Sequence, residues 1–340
     1  MADETLHQYL VDEFVEDFQR GRITRREALS LLGGLIGSTS AASLLAGCGP
    51  SENAVEPTAE PPRAATSAQA TSAPTASATA TGSTAPTTTA AANVPGPPMS
   101  PLSVKADDPS VVAERQETSG KDGKVMVYVA RPAAPKSPRS PIVLVCHENR
   151  GLTAHIEDVA RRFAKAGYVA VAVDLLSAQG GTSAVADPES IPGVLGALSS
   201  ERIVGDFAAA LAFIKSQPFA KPDRVGMTGY CFGGGCTWKV ALGIPEIRAA
   251  VPFYGPPIAE ADIPKVKASV FAVYAGRDSR INEKAAYVEA ALKKTGKPYR
   301  VTTYPDVDHA FHNDTGKRYD EKTATQAWND TLAWFAKHLA

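Results

Sequence analysis

One five-residue run, Gly229-Tyr230-Cys231-Phe232-Gly233, constrains the fold of this chain more than any other stretch of its sequence. It follows the strand-like segment 224–228 and has the order glycine, any residue, nucleophile, any residue, glycine. A sharp turn between a strand and a helix strains the backbone of its central residue, and side chains beside it would collide with both elements. The run therefore predicts a strand–turn–helix unit that carries Cys231 as a nucleophile. A glycine-rich loop around a buried, inert cysteine is the alternative.

Strand-like apolar runs alternate with amphipathic helical segments from about Leu102 to the end of the chain. The predicted strands are 111–118 and 125–131 (a hairpin), 142–147, 169–173, 224–228, 249–254, 269–274 and 300–304, and the predicted helices are 157–166, 201–217, 233–242, 282–294 and 323–339. This alternation predicts an α/β fold with a mostly parallel sheet covered by helices on both faces. Chemistry in such folds lies at the carboxyl ends of the strands. A Gly/Ser/Pro-rich stretch, 175–192, is a candidate lid or substrate loop.

Three polar residues follow predicted strands, in the chain order Cys231, Asp278, His309. Nucleophile, acid and histidine is the order of an α/β-hydrolase triad. The thiolate would attack an acyl carbon, the imidazole would carry its proton, and the carboxylate would hold the histidine tautomer. His312 is an alternative base and Asp308 an alternative acid. Each of these side chains could instead be an ordinary surface or core residue.

The predicted helix after the turn places Cys231 at a helix N-terminus. Unpaired N–H groups, the helix dipole and a neighbouring imidazolium favour a low thiol pKa there. The backbone N–H groups of Phe232 and Asn149 are candidate oxyanion donors. A reactive thiol is open to oxidation, so shielding by the stretch 175–192 or by Glu148 is a further hypothesis.

The folded part, from about Val111 to Ala340, resembles the dienelactone hydrolase family. The resemblance rests on Gly-Tyr-Cys-Phe-Gly-Gly-Gly at the turn, a glutamate after the preceding buried strand, Gly-Arg-Asp at 276–278 and His-Ala-Phe at 309–311. It implies an α/β-hydrolase that cleaves activated esters such as an enol-lactone with a Cys-His-Asp triad. It also implies that Glu148 helps to activate the thiol; a structural ion pair of Glu148 with Arg150 is the alternative.

The chain departs from the family in the residues that bind a substrate carboxylate. The well-known members use two arginines for this, but one of those positions is Asn313 here, and the other region, 187–200, has neither arginine nor tyrosine. Arg150 and Arg202 are candidate replacements. Arg150, Tyr230 and Phe311 are candidate substrate contacts. The departures leave open a general extracytoplasmic carboxylesterase without lactone preference, or a non-catalytic surface-binding lipoprotein on a hydrolase scaffold.

The N-terminus resembles an export signal. Arg25-Arg26 precede an uncharged apolar run, 31–46, which resembles a twin-arginine signal, and Leu45-Ala46-Gly47-Cys48 resembles a bacterial lipoprotein box in which Cys48 is lipidated. The domains expected are a signal at 1–48, a disordered Ala/Thr/Ser/Pro-rich tether at 49–101 and the α/β domain at 102–340. The protein is then exported and membrane-anchored; an uncleaved signal anchor or a chance apolar helix is the alternative.

Residues 1–22 also carry a helical stripe of apolar residues: Leu6, Leu10, Phe14 and Phe18. A solvated leader helix without function is the prediction for residues 1–22. The full chain has a net charge of −1, dispersed basic residues and six histidines without metal-ligand spacing. These features predict no nucleic-acid partner, no metal and no cofactor, and a small ester or lactone as the substrate. Disulfide formation between Cys231 and Cys236 is not expected, because they point to different sides of the helix.

Overall fold

A mostly parallel eight-stranded sheet forms the centre of the protein, in a computed structural model that describes residues 4–46 and 100–340. The strands are β1 Val111–Gly120, β2 Gly123–Pro132, β3 Ser140–Cys146, β4 Val169–Asp174, β5 Ala220–Tyr230, β6 Ile247–Phe253, β7 Ser269–Ala275 and β8 Tyr299–Tyr304. Their order across the sheet is β1-β2-β4-β3-β5-β6-β7-β8. The pairs β1–β2 and β2–β4 are antiparallel and all other pairs are parallel. The predicted α/β-hydrolase fold is confirmed.

Ten α-helices accompany the sheet in the described residues. They are α1 Glu4–Gln19, α2 Arg25–Ile36, α3 Ser38–Ala46, α4 Ala154–Lys165, α5 Ile191–Gly196, α6 Ser200–Lys215, α7 Phe232–Gly243, α8 Ser279–Ala285, α9 Val288–Lys293 and α10 Glu321–His338. The prediction of one continuous helix over 282–294 is wrong, because the segment forms α8 and α9. The chain turns at Tyr287, whose hydroxyl donates a hydrogen bond to the Ile258 carbonyl at 2.8 Å. The stretch 175–192 contains three short 3₁₀ turns and the start of α5.

The central strands are apolar along their whole length because both faces of the sheet are covered. All residues of β4 and β7 are buried. Behind the sheet, a buried ion-pair network joins α4 to the loop before α10. Arg162 donates to Asp158 at 2.5 Å and to Asp314 at 2.6 Å, and His155 Nδ1 lies 2.8 Å from Asp314. The Arg162 guanidinium and both carboxylates have oppositely charged partners, which makes their burial tolerable.

The leader, defined here as residues 4–46, packs onto the α/β domain (residues 102–340). The prediction of a solvated leader helix is therefore wrong, because Leu6, Leu10, Phe14 and Phe18 of α1 are all buried. The apolar stripe of α1 needs a partner surface, and the domain supplies it. Leu6 reaches α7 beside Gly235, and Leu10 reaches α5 beside Gly196.

The two other helices of the leader form a bent pair. Thr24 and Glu27 make a capping box at the start of α2, and Gly37, at φ 81°, ends it. The uncharged run 31–46 is thus divided between α2 and α3. In the residues that the structure describes, none of the helices has the length and apolar character needed to cross a membrane. Cys48 and most of the predicted tether lie outside the described residues.

Candidate active site

Cys231 lies between β5 and α7 in a strained turn. Its φ is 59° and ψ is −121°, a conformation that side chains rarely adopt. The glycines on either side permit this turn. A Cβ on Gly229 would lie 2.2 Å from the carbonyl oxygen of Gly233, and a Cβ on Gly233 would lie 2.5 Å from that of His147. The structure thus gives a physical reason for both glycines of the sequence pattern.

His309 and Asp278 meet at the same edge of the sheet. Asp278 follows β7, His309 lies in the loop after β8, and His309 Nδ1 is 2.6 Å from Asp278 Oδ2. The other carboxylate oxygen accepts the backbone N–H of Ile281 at 3.3 Å and caps α8. Burial alone would raise the pKa of Asp278, but the charge and hydrogen bond of His309, with the charge of Arg280, hold it below its ordinary value.

The alternative base and acid lie elsewhere. His312 is fully buried, its ring stacks on Tyr230 with centroids 4.8 Å apart, and neither ring nitrogen has a hydrogen-bond partner. Burial and the charge of Arg162 hold the pKa of His312 well below its ordinary value, so it stays neutral in the core. Asp308 pairs with Arg22 of the leader at 3.1 Å. The geometry therefore favours His309 and Asp278.

The segment after β3 brings Glu148 and Asn149 to the site. Asn313 Nδ2 donates a hydrogen bond to Glu148 Oε2, so the residue that replaces the family arginine holds this glutamate. Arg150, the alternative partner, instead lies over the ring of Phe14 at 6.0 Å. The side chain of Asn149 donates to Glu13 Oε2 of α1 at 3.1 Å.

The other candidate substrate contacts are occupied within the protein. Tyr230 is fully buried between Phe253 and His312. Phe311 is also fully buried and packs against Tyr254 and Tyr304. Arg202 pairs with Asp206 on its own helix at 2.9 Å. Arg150 and Arg202, the candidate replacements for the family arginines, therefore have partners away from the thiol.

Two residues of α1 reach the proposed reaction centre, and the sequence reasoning missed both. The Tyr9 hydroxyl lies 3.1 Å from Cys231 Sγ and 3.3 Å from His309 Nε2. The carboxylate of Glu13 lies 3.7 Å from the same sulfur and 3.8 Å from His309 Nε2. A signal was present: Tyr9 and Glu13 fall on the helical stripe that begins at Leu6, where an acidic residue is out of place.

The thiol is covered and protonated in this arrangement. Cys231 is 3% exposed and His309 4% exposed, and Tyr9 is fully buried between them. Burial raises the pKa of Cys231 well above its ordinary value, and the charges of Glu13 and Glu148 raise it further. Hydrogen bonds from Tyr9 and from the backbone N–H of Phe232 oppose this shift without reversing it. The predicted low thiol pKa is therefore wrong for the covered state.

Two further basic residues flank the site, and neither was predicted. Arg280 donates to Glu16 at 3.0 Å and lies over the ring of Tyr9 at 4.6 Å. Arg318 pairs with Asp17 at 3.4 Å. Burial disfavours the charge of Arg318, but Asp17, Glu13 and other negative groups at the site raise its pKa nonetheless.

The only metal-ligand group in the described part of the chain is at this same place. One donor atom each from Glu13, Cys231 and His309 lie within 4.8 Å of one another. The Tyr9 hydroxyl is in hydrogen-bond contact with both the sulfur and the ring nitrogen, so it fills the space between them. An open cleft of about 510 Å³ lies at the opposite end of the sheet, where Ser140, Tyr168, Lys221 and Leu339 line it.

Comparisons with known proteins agree with the fold. The family model described as the dienelactone hydrolase family matches residues 125–339. A protein named as a carboxymethylenebutenolidase from Methylorubrum extorquens is 31% identical over 71% of this chain and 87% of its own length. One of the same name from Escherichia coli is 29% identical over 71% of this chain and 94% of its own. The crystal structure of a dienelactone hydrolase from Klebsiella pneumoniae is 28% identical, with a TM-score of 0.62, over 67% of this chain and 99% of that one. The chain belongs to the dienelactone hydrolase family of α/β-hydrolases.

Proposed function

We propose that this chain hydrolyses activated esters or lactones through a thiol acyl-enzyme formed on Cys231. The observation that carries the proposal is the hydrogen-bonded pair of His309 and Asp278 at 2.6 Å, with a ring nitrogen of His309 within 4.8 Å of the Cys231 sulfur on its strained turn. Backbone strain of this kind is typical of functional sites and would serve no purpose at an ordinary buried cysteine. Membership of a family named for a hydrolase supports the same reaction class.

The reaction follows from these positions. The Cys231 proton passes to His309 Nε2, and the thiolate attacks the carbonyl carbon of the substrate. Collapse of the tetrahedral intermediate breaks the ester C–O bond, and His309 gives its proton to the leaving oxygen. Water, deprotonated by His309, then cleaves the thioester and releases the acid with the free thiol. The charge of Asp278 stabilises the imidazolium in both halves.

The oxyanion and the thiol have further partners. The backbone N–H of Phe232 faces the sulfur from the start of α7, and we assign the carbonyl oxygen to it and to the backbone N–H of Asn149. Glu148, held by Asn313, raises the pKa of the thiol by its charge. We propose that Glu148 takes part in activating the thiol, while His309 receives the thiol proton that later protonates the leaving oxygen.

The substrate class is a carboxylate-bearing ester or lactone in this proposal. Arg280 and Arg318 pair with acidic side chains of α1. Arg280 lies over the ring of Tyr9, whose hydroxyl contacts the thiol, and Arg318 interacts electrostatically with Cys231. Without α1 both cations would face the site unpaired, and a guanidinium binds a carboxylate well. The alternative is a general carboxylesterase, which the absence of the usual family arginines favours. The two alternatives are separated by measuring turnover of an anionic enol-lactone and of a neutral ester of equal reactivity, in wild type and Arg318→Met without α1. If the substrate carries a carboxylate, Arg318→Met should slow only the anionic enol-lactone. An unchanged rate for both substrates would favour the general carboxylesterase.

The test of the reaction uses an aryl ester. Because α1 covers the thiol, the chain is first cut at a protease site inserted between residues 50 and 99 and freed from its N-terminal fragment. Cys231→Ala and His309→Ala should each reduce hydrolysis to the background rate, and mass spectrometry should detect an acyl adduct on Cys231 in the wild type. Equal rates in wild type and Cys231→Ala would refute the mechanism. A thiol that is inert to both ester and iodoacetamide in the freed domain would favour a non-catalytic binding protein.

We also propose that the protein is exported and anchored by lipid at Cys48. The support is the order of Arg25-Arg26, the uncharged run 31–46 and the box that ends at Cys48. Cleavage before Cys48 would remove the leader. Mass spectrometry of the membrane fraction should find a lipid-modified N-terminal Cys48 and should lose it in Cys48→Ser. An intact leader on the membrane-bound protein would indicate the uncleaved anchor instead.

A further inference from the structure

We propose that the leader is an inhibitor of the active site, with α1 bound across the thiol as an acidic amphipathic helix. This inference rests on the proposed function, because it assigns α1 to the place where the substrate must bind. It differs from the export role of the segment, since an address needs no contact with the reaction centre. Three independent features of the contact support it.

The first feature is direct occupation of the reacting groups. The Tyr9 hydroxyl is within hydrogen-bond distance of both the thiol sulfur and the ring nitrogen of His309 that would take its proton. The Glu13 carboxylate lies beside the same sulfur and accepts from Asn149, one of the residues assigned to the oxyanion. A substrate carbonyl cannot approach the sulfur while these atoms are present, because Cys231 is only 3% exposed.

The second feature is charge complementarity around the thiol. The acidic side of α1 meets basic residues of the α/β domain at three places: Asp12 with Lys284 at 2.7 Å, Glu16 with Arg280 at 3.0 Å, and Asp17 with Arg318 at 3.4 Å. Beyond the end of α1, Arg22 pairs with Asp308 at 3.1 Å. These pairs come from α8 and from the loops around His309, so they fix α1 across the mouth of the site. Opposite charges arranged this way set register and orientation.

The third feature is a close fit between glycines of the α/β domain and the leader. A Cβ on Gly193 of α5 would lie 2.5 Å from the backbone oxygen of Gly34 in α2. A Cβ on Gly196 would lie 2.7 Å from the side chain of Leu35. For both glycines the nearest atoms all belong to the leader. Gly205 of α6, by contrast, has no atom within 4 Å of such a Cβ.

These contacts predict a latent precursor. Removal of residues 1–47 would take away Tyr9, Glu13 and every acidic partner on α1, and would leave the thiol accessible. Cutting the chain without removing the leader converts an intramolecular contact into a bimolecular one, which dilution weakens. The same processing step that releases the protein from its signal would therefore switch on the enzyme.

The experiment uses the full chain with a protease site inserted near residue 70. Two rates are measured before and after cutting and separation: hydrolysis of an aryl ester, and alkylation of Cys231 by iodoacetamide. Cutting should raise both at least tenfold in the wild type. In the uncut chain, Gly193→Ala/Gly196→Ala should raise both toward the cut values, because the added methyl groups meet only the leader. Gly205→Ala is the matched control and should behave as the wild type. Alanine favours a helix over glycine, so neither change should weaken α5 or α6.

Each result decides the inference. If the uncut wild type hydrolyses the ester, and is alkylated at Cys231, as fast as the cut form, the inference is overturned. A loss of activity on removal of the leader would also overturn it, because α1 would then be part of the catalyst. A cut form whose thiol becomes reactive toward iodoacetamide but does not turn over any ester would support the inhibitory contact and refute the proposed hydrolysis. A synthetic peptide of residues 4–22 added to the cut enzyme should slow alkylation again, and a peptide with Tyr9→Ala and Glu13→Ala should slow it less.

Discussion

Replacing Asp278 by asparagine separates the proposed catalytic role of this residue from its structural one. In the wild type, one carboxylate oxygen accepts from His309 Nδ1 at 2.6 Å and the other from the backbone N–H of Ile281 at 3.3 Å. Asparagine has a single oxygen, so only one of these contacts can survive. If the oxygen caps α8, the amide NH₂ faces His309, and the imidazole must carry its proton on Nε2, where it cannot accept one from the thiol. If the amide is reversed, two N–H groups face each other at the cap.

The two orientations of the asparagine amide differ in free energy, and this difference sets the expected result. Asparagine caps a helix as well as aspartate does, whereas a donor–donor contact at the cap costs about 1–3 kcal/mol. The capping orientation should therefore dominate, and the protein should remain folded with an imidazole in the wrong tautomer. The matched change in a serine–histidine–aspartate triad lowers kcat on the order of 10⁴-fold, about 5 kcal/mol in the barrier. We expect a loss of 10³- to 10⁴-fold by the same argument.

The assay is aryl-ester hydrolysis by the freed α/β domain, with circular dichroism at 25 °C as the test of folding. Asp308→Asn is the control. Asp308 lies close in sequence, is 29% exposed and pairs mainly with the leader, so its loss should change kcat less than twofold. If Asp278→Asn retains more than a tenth of the wild-type kcat while remaining folded, the assignment of Asp278 as the partner of the catalytic base is wrong.

Three further changes test the surroundings of the site. Gly233→Ala should lower the free energy of unfolding by about 2 kcal/mol or more, seen as a lower urea midpoint, because its Cβ would meet main-chain oxygens that cannot move freely; an unchanged midpoint would contradict the packing described. Arg162→Met should cost about 3–5 kcal/mol, because it removes the guanidinium that pairs with the buried carboxylates of both Asp158 and Asp314. The pKa of Asp314 lies well below its ordinary value; burial opposes this, but His155 and Arg162 outweigh it, so the stability it contributes is present above about pH 4 and lost as the pH falls further. Urea midpoints should fall less between pH 7 and 3 in Arg162→Met than in wild type, because loss of the Arg162 charge reduces the depression of the Asp314 pKa. Glu148→Gln in the freed domain should lower the pKa of the thiol, because a nearby negative charge is removed, and the iodoacetamide profile should move to lower pH; a move to higher pH would contradict that electrostatic role.

The sheet, and the contact of Asp278 with His309 at one end of it, could be predicted because each depends on local sequence. A continuous apolar run such as 142–147 indicates a strand that is covered on both faces, and polar residues directly after parallel strands meet at one edge of the sheet. Asp278 and His309 were identified on this basis, and the structure places them in contact. The glycines around Cys231 were likewise readable, since a sharp turn limits what its neighbours can be.

The role of the leader could not be predicted in the same way. A stripe of apolar residues on a helix indicates that one face is buried, but its period says nothing about the surface that covers it. The partners of Tyr9 are more than 200 residues away in sequence. The low thiol pKa expected at a helix N-terminus failed for the same reason. It was argued from α7 and a neighbouring imidazolium, whereas burial under α1 and the charges of Glu13 and Glu148 raise the pKa. Tyr287, in the break between α8 and α9, also contacts a residue that is distant in sequence, Ile258.

Gly193 and Gly196 have a consequence for how sequences of such enzymes are read. The three atoms nearest to a Cβ at each position all belong to the leader, so removal of the leader would take away the closest obstacles to a side chain there. Selection for a segment that is later discarded would then leave its imprint on the part that is kept. Variation at these two positions should therefore track the presence of a leader in related genes, and genes that have lost the leader should be free to accept larger residues there. The mature enzyme would then keep small residues at positions whose closest contacts were with the inhibitory leader.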